Sequence, residues 1–284
     1  MAYTIYSSAN FQFDFGAETS FNSGAGTDYG ALGVAMKVGT FEPDNQYEAL
    51  YQINQRNPVA FYSKGQKFNI NTDFTLANDN VNWLNYILYN SATNTYTVGN
   101  VSSAYGTLVG GGKSYNASGV IFDGATINFE QGKPVEVTMD GVGTRLTMGT
   151  ATVSPTIPSQ FVTWTTVTVG GITQPIESLN LKIENAPERY YTLGSLDYVA
   201  YIPLKFSVTG TIKIYHDSDI IDTIMGSSTT QNPPTSPITL TITAGNYVFN
   251  IAGLYYNTGK INIVPVETVM DEITFVGENL TVTT

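Results

Sequence analysis

The one histidine of the chain, His216, opens the run His216-Asp217-Ser218-Asp219. An imidazole beside two carboxylates has the donor types of a metal site or an acid–base pair. A metal site needs more ligands, and there is no second histidine and no cysteine. The run also precedes an apolar stripe at helical spacing, Ile220, Ile221, Ile224 and Met225, with Gly226 behind it. Asp, Ser and Asp before such a stripe are helix-capping types, and glycine after it is a stop. We therefore read the run as a cap carrying an incidental histidine. A Ser-His-Asp triad would have to recruit His216, and no Gly-x-Ser-x-Gly elbow is present.

Gly110-Gly111-Gly112-Lys113-Ser114 has the ending of a phosphate loop. That motif needs a glycine at position 107, which is Thr107, and Gly106 lies one residue too early. The residues that follow, Tyr115-Asn116-Ala117-Ser118-Gly119, do not read as the required helix, so a flexible loop is expected. Distant carboxylate pairs for glycoside hydrolysis are usually served by exposed tryptophans. The two present are Trp83 and Trp164, and Trp83 lies on an apolar stripe. No catalytic, cofactor-binding or metal-binding residue is assigned, no cofactor is expected, and the chain is read as not an enzyme.

The composition describes the elements that remain. Of 284 residues, 42% are apolar but only 12% charged, so surface polarity must come from Thr, Ser, Asn and Gln. Those types suit strands and turns better than exposed helix faces. With 27 Gly, 19 Tyr and 14 Phe, the chain reads as all-β. A net charge of −11 argues against a surface that grips nucleic acid, because phosphate needs clustered Lys and Arg. It is compatible with a surface that lets nucleic acid pass. The absence of cysteine excludes disulfides and thiolate chemistry. The opening residues lack the basic and apolar segments of an export signal, and no apolar run reaches about 20 residues, the length of a membrane span. The sequons at Asn100, Asn116 and Asn279 then carry no weight, and the expectation is a soluble protein made in a cytoplasm.

Breaks divide the chain into an N-terminal arm (1–33), a first repeat (34–148), a linker (149–175) and a second repeat (176–284). The arm alternates in Phe11, Phe13 and Phe15 before a glycine-rich stretch, and the linker holds a β-like run over 161–167. Residues 226–237, with Pro233, Pro234 and Pro237, read as an exposed loop. Between the breaks the period is two, as in residues 67–76 and 206–214. Each repeat then turns to a short helical stripe, Val81, Trp83, Leu84, Ile87 and Leu88 in the first and residues 220–225 in the second.

The two blocks match in order. Lys67-Phe68-Asn69-Ile70 aligns with Lys205-Phe206-Ser207-Val208, and Phe74-Thr75-Leu76 with Ile212-Lys213-Ile214. Asp79-Asn80 falls on Asp217-Ser218. Upstream, Val59-Ala60-Phe61 matches Val199-Ala200-Tyr201. Downstream, Ile121-Phe122-Asp123 matches Val248-Phe249-Asn250, and Gly132-Lys133 matches Gly259-Lys260. A tandem duplication is expected.

From about residue 24 to 283 the chain resembles the tail tube proteins of long-tailed phages and archaeal viruses. The resemblance rests on Ser23-Gly24-Ala25-Gly26-Thr27, Gln55-Arg56-Asn57-Pro58, the segment ending Trp83-Leu84-Asn85-Tyr86-Ile87-Leu88, residues 176–185, Leu193-Gly194-Ser195 and residues 209–215. It implies tandem β-sandwich or small-barrel repeats, each flanked by one short helix. Long hairpins from neighbouring copies would join into a pore-lining barrel, and rings would stack into a tube through which the genome passes. A duplicated chain implies a homotrimer with pseudo-sixfold symmetry, a single-domain one a hexamer. The implied partners are further copies, a tape measure protein and tail tip or terminator proteins. DNA would pass without specific binding, no membrane would be involved, and the location would be the virion tail, assembled in the host cytoplasm. The competing expectation is a β-sandwich binding or adhesion module, such as a surface-layer or receptor-binding protein.

Overall fold

The alternation over residues 67–76 places Phe68, Ile70, Thr72 and Phe74 on one side of a strand, and all four are buried. Each large apolar side chain so removed from water contributes about 1.5–3 kcal/mol. The computed structural model describes residues 11–23, 26–28, 38–53, 56–79, 81–150, 160–169, 172, 175–192, 198–216, 237–262 and 268–284. Within them the chain is all-β.

The first half holds β1 (Phe11–Glu18), β2 (Gly26–Asp28), β3 (Val38–Leu50) and β4 (Ala60–Thr75), then β5 (Tyr89–Ala92) and β6 (Thr95–Thr97). β7 (Ala104–Gly110), β8 (Lys113–Glu130), β9 (Glu136–Gly143) and β10 (Arg145–Gly149) complete it. The second half holds β11 (Trp164–Val169), β12 (Ile176–Glu184), β13 (Pro187–Tyr191), β14 (Tyr198–Pro203) and β15 (Ser207–Tyr215). β16 (Ile238–Ala244), β17 (Tyr247–Asn262), β18 (Met270–Gly277) and β19 (Asn279–Thr283) follow.

All the strand pairings are antiparallel, and they follow one order in both halves. In the first, β3 pairs with β4, β4 with β9 and β9 with the C-terminal part of β8, whose N-terminal part pairs with β7 and β10. In the second, β12 pairs with β15, β15 with β18 and β18 with the C-terminal part of β17, whose N-terminal part pairs with β16 and β19. Beyond these, β1 pairs with β7, and β11 with β16. Both long strands change sheet at a bulge, which falls between Phe122 and Gly124 in β8 and between Tyr256 and Thr258 in β17. An extra residue there bends the strand from one layer to the other.

The bulges align Phe122 with Tyr256, and the cross-strand pairs align Phe68 with Val208. The sequence match had set Phe122 on Phe249 and Phe68 on Phe206. For Phe68 the slip is two residues, which leaves the apolar side of a strand unchanged, so periodicity alone could not register it. For Phe122 it is seven, because Phe249 lies in the N-terminal part of β17, before the bulge.

β12 also pairs with the C-terminal part of β8, from Ser178 opposite Glu130 to Glu184 opposite Gly124. The halves thereby join into one eight-stranded sheet in the order β3-β4-β9-β8-β12-β15-β18-β17. One apolar core runs beneath both halves, with Phe129 and Phe249 edge-on at 5.6 Å and Trp83 set between Phe74 and Tyr247. The residues read as linker are strand-bearing, since Val162 exchanges backbone bonds with Leu76 and Val135, and β11 joins the second half. Phe11–Glu18, read as part of an arm, is β1.

The first helical stripe is a 3-10 helix of five residues, Asn82–Tyr86. Its N-cap is Val81, which makes no side-chain cap bond, so the expected polar cap is absent there. What holds it is burial, for Trp83, Leu84, Tyr86, Ile87 and Leu88 are all in the core. The stripe over 220–225 and the loop over 226–236 lie outside the described residues.

Candidate functional site: the wet face and one-sided edges of the long sheet

Side chains in the eight strands alternate between core and solvent. The core side carries Ile127, Leu181, Ile212 and Ile273 among others, all fully buried. The solvent side carries hydroxyls, amides and charges. Directly opposite residues share a side, so the pairings extend this face across the whole sheet.

The amides on it bond across strands. The Asn71 amide donates to Asp140 at 2.5 Å, and that of Asn180 donates to Asn128 at 2.5 Å across the junction between the halves. Thr258 and Thr274 link hydroxyls at 2.6 Å. Lys182 lies 2.5 Å from Glu184, which also accepts from the Ser207 hydroxyl at 3.0 Å. The bond from Lys182, reinforced by Ser207, holds the Glu184 carboxyl below the ordinary carboxylate range. At the β8–β9 turn, the 2.6 Å bond to Glu130 raises Lys133 above the usual ammonium value.

Acid predominates on this face. Glu42, Asp44, Asp73, Glu130, Glu136, Asp140, Glu184 and Glu272 stand against Lys67, Lys182, Lys213 and Lys260. The lysines are dispersed, with no cluster to neutralise successive phosphates.

Both ends of the sheet pair on one side only among the described residues. β3 pairs with β4 alone, and residues 255–262 of β17 pair with β18 alone. Beyond the sheet, the outer end of the β3–β4 hairpin exposes Tyr47, Tyr51, Ile53 and Phe61, Ile53 at 89%. Large apolar groups so exposed together mark a contact surface.

In the second half, the β13–β14 hairpin is seated on the first half. Its Arg189 bridges to Asp123 at 2.6 Å and donates to the Ile121 carbonyl. The Tyr198 hydroxyl donates to the carbonyl oxygens of Gly119 and Val142, and that of Tyr201 to Val101. Phe21 packs on both rings. Burial pushes the Tyr198 phenol well above its ordinary value, with Arg189 acting in the opposite direction.

The residues singled out for chemistry are scattered. His216 sits at the end of β15, its Nδ1 2.9 Å from buried Asp271. Asp217 and Asp219 lie outside the described residues. Among the described residues no three His, Asp or Glu side chains gather as metal ligands. The glycine run is a hairpin turn in which Gly110 pairs with Lys113, while Gly111 and Gly112 take φ of 63° and 75°. Such a turn needs positive φ at both central positions. A strand follows it rather than a helix. Trp83 is fully buried, and the Trp164 side chain lies outside the described residues. Sequence reasoning missed Asp271, which is 55 residues from His216. A carboxylate inside the alternating run of β18 was its one visible signal.

A family model described as phage tail tube protein matches residues 5–279. No curated protein matches the chain.

Proposed function

This chain belongs to the phage tail tube protein family and has a structural role in the tail tube; on that premise we propose how its fold builds the tube. Copies join edge to edge through the eight-stranded sheet, close into a ring, and turn the wet face inward. Rings stack into a tube whose lumen is the path of the genome. The observation that carries this reading is the long sheet itself, with one face in the core, one face polar and acid-rich, and an edge at each end that pairs on one side only. Long one-sided edges favour pairing with another chain, and closing a ring removes them.

The same pairing order in both halves supports tandem repeats, and hence a ring of three chains with pseudo-sixfold symmetry. At about 4.8 Å per strand and a tilt of about 40°, three eight-stranded sheets close at a backbone diameter of about 50 Å, wide enough for an open channel. Acidic side chains and dispersed lysines let DNA slide without being held. The wall does no catalysis. The tape measure protein, and terminator or tip proteins, meet the tube within and at its ends. Assembly takes place in the host cytoplasm, and the product is part of the virion tail.

Electron microscopy of purified protein, alone and with tail initiator components, tests this. Rings or tubes with a central hole are expected. A chain that stays monomeric throughout and is missing from virion tails would overturn the reading.

A further inference from the structure

The junction between the two halves is a template for the junction between two copies. β8 and β17 are equivalent by their bulges and partners, as are β12 and β3. Within the chain, the C-terminal part of β8 pairs with β12. The corresponding edges, the C-terminal part of β17 and β3, are the two that pair on one side only among the described residues. We infer that β17 of one copy pairs antiparallel with β3 of the next, in the register that β8 makes with β12. This rests on the ring reading above and adds to it which strands meet and how they align.

The register follows residue by residue. The bulges and the β9 and β18 pairs set Thr126 equivalent to Lys260 and Ile127 to Ile261. The β4 and β15 pairs set Leu181 equivalent to Phe41 and Lys182 to Glu42. Inside the chain, Leu181 faces Ile127 and Lys182 faces Thr126. Between copies, Phe41 then faces Ile261 and Glu42 faces Lys260.

Neither pair is among the contacts that fix this alignment, yet both are complementary. The apolar pair falls on the core side and the opposite charges on the wet side. A slip of one residue would place Glu42 against Ile261 and reverse both faces. Exposure agrees, since Ile127 and Leu181 are fully buried while Ile261 is 41% exposed, as a side chain awaiting the neighbouring strand would be. The outer part of the β3–β4 hairpin would then reach the second half of the adjoining copy as β13–β14 reaches the first half of its own.

The absence of cysteine makes the test clean. Glu42→Cys and Lys260→Cys are combined in one chain, assembled, and either oxidised or treated with a short bis-thiol reagent. Glu42→Cys with Thr258→Cys reports a register shifted by two, and Lys182→Cys with Thr126→Cys reports the internal junction. Covalent multi-chain species from the first pair, and none from the second, are expected. Charge reversal is independent of thiol geometry: Glu42→Lys and Lys260→Glu each reduce tube yield, and the double variant restores it. Tubes that form without cross-linking the first pair, together with a double reversal that fails to restore yield, would overturn the register while leaving the tube intact. Failure of the unaltered chain to form any ring would instead strike the ring reading itself.

Discussion

The side-chain amide of Asn185 donates to the carbonyl oxygen of Ile87 at 2.8 Å, with Asn185 only 4% exposed. Asn185 lies between β12 and β13, where the second half bends over the first, and Ile87 is the C-cap of the 3-10 helix. A helix-end carbonyl without an intrahelical partner is thus satisfied across the boundary between the halves. The backbone N–H of Asn185 donates to the backbone carbonyl oxygen of Asp123 at 2.8 Å, beside the bulge of β8. One residue therefore fixes the β13–β14 hairpin to both the helix and the bulge.

Asn185→Leu leaves the Ile87 carbonyl buried and unpaired. The expected loss is about 1–3 kcal/mol in chemical denaturation, the range for a buried polar group deprived of its partner. Asn185→Asp should not rescue it, because a carboxylate cannot donate to a carbonyl.

Gly124 faces Glu184 where β8 meets β12. A methyl group there would collide with the backbone oxygen of Ile183. Gly124→Ala is expected to destabilise by about 1–3 kcal/mol, the cost of overpacking. Denaturation reports that loss, and assembly assays should show fewer tubes. Gly132, in the β8–β9 turn, has open space around it but φ of 76°, so Gly132→Ala should cost about 1 kcal/mol through backbone strain alone and leave the junction intact.

Burial raises the phenol pKa of Tyr198 and of Tyr247, whose hydroxyl donates to the Ala77 carbonyl at 2.9 Å. Above about pH 10 the unfolded chain loses these protons while the folded chain keeps them. Folding stability is therefore complete below that pH and falls as pH rises towards the folded values. Denaturation midpoints followed across the alkaline range should decline accordingly. Tyr247→Phe should flatten the decline while lowering neutral-pH stability by about 1 kcal/mol for the lost bond.

On the wet face, Glu136→Lys combined with Asp140→Lys and Glu130→Lys would replace three repulsive groups with phosphate ligands. Duplex DNA should bind the triple variant with an affinity that falls steeply with salt, and should not bind the unaltered chain at physiological ionic strength. Gel shifts at several salt concentrations measure both.

Much of this architecture is legible in the residues. The alternation over 67–76 and 206–214 names two strands and their buried sides, and the polar positions between are the wet face. The order of the two blocks is also visible. Their register is not, because β17 alternates on both sides of its bulge, so composition cannot tell Phe249 from Tyr256 as the counterpart of Phe122. The short helix of the first half could be placed but not typed, since its stripe is held by burial and its N-cap residue offers no polar side chain. Nothing local marks β3 and β17 as the sheet ends, for edges are set by which strands find partners elsewhere in the chain, as β8 finds β12 some 48 to 60 residues away.

The stoichiometry of the ring tests the central claim most directly. Averaged end-on electron micrographs, paired with mass measurement of detached rings, would count the chains. The account predicts a hollow ring of three 30.7 kDa chains showing six similar lobes. Six chains per ring, or assemblies with no central channel, would contradict it.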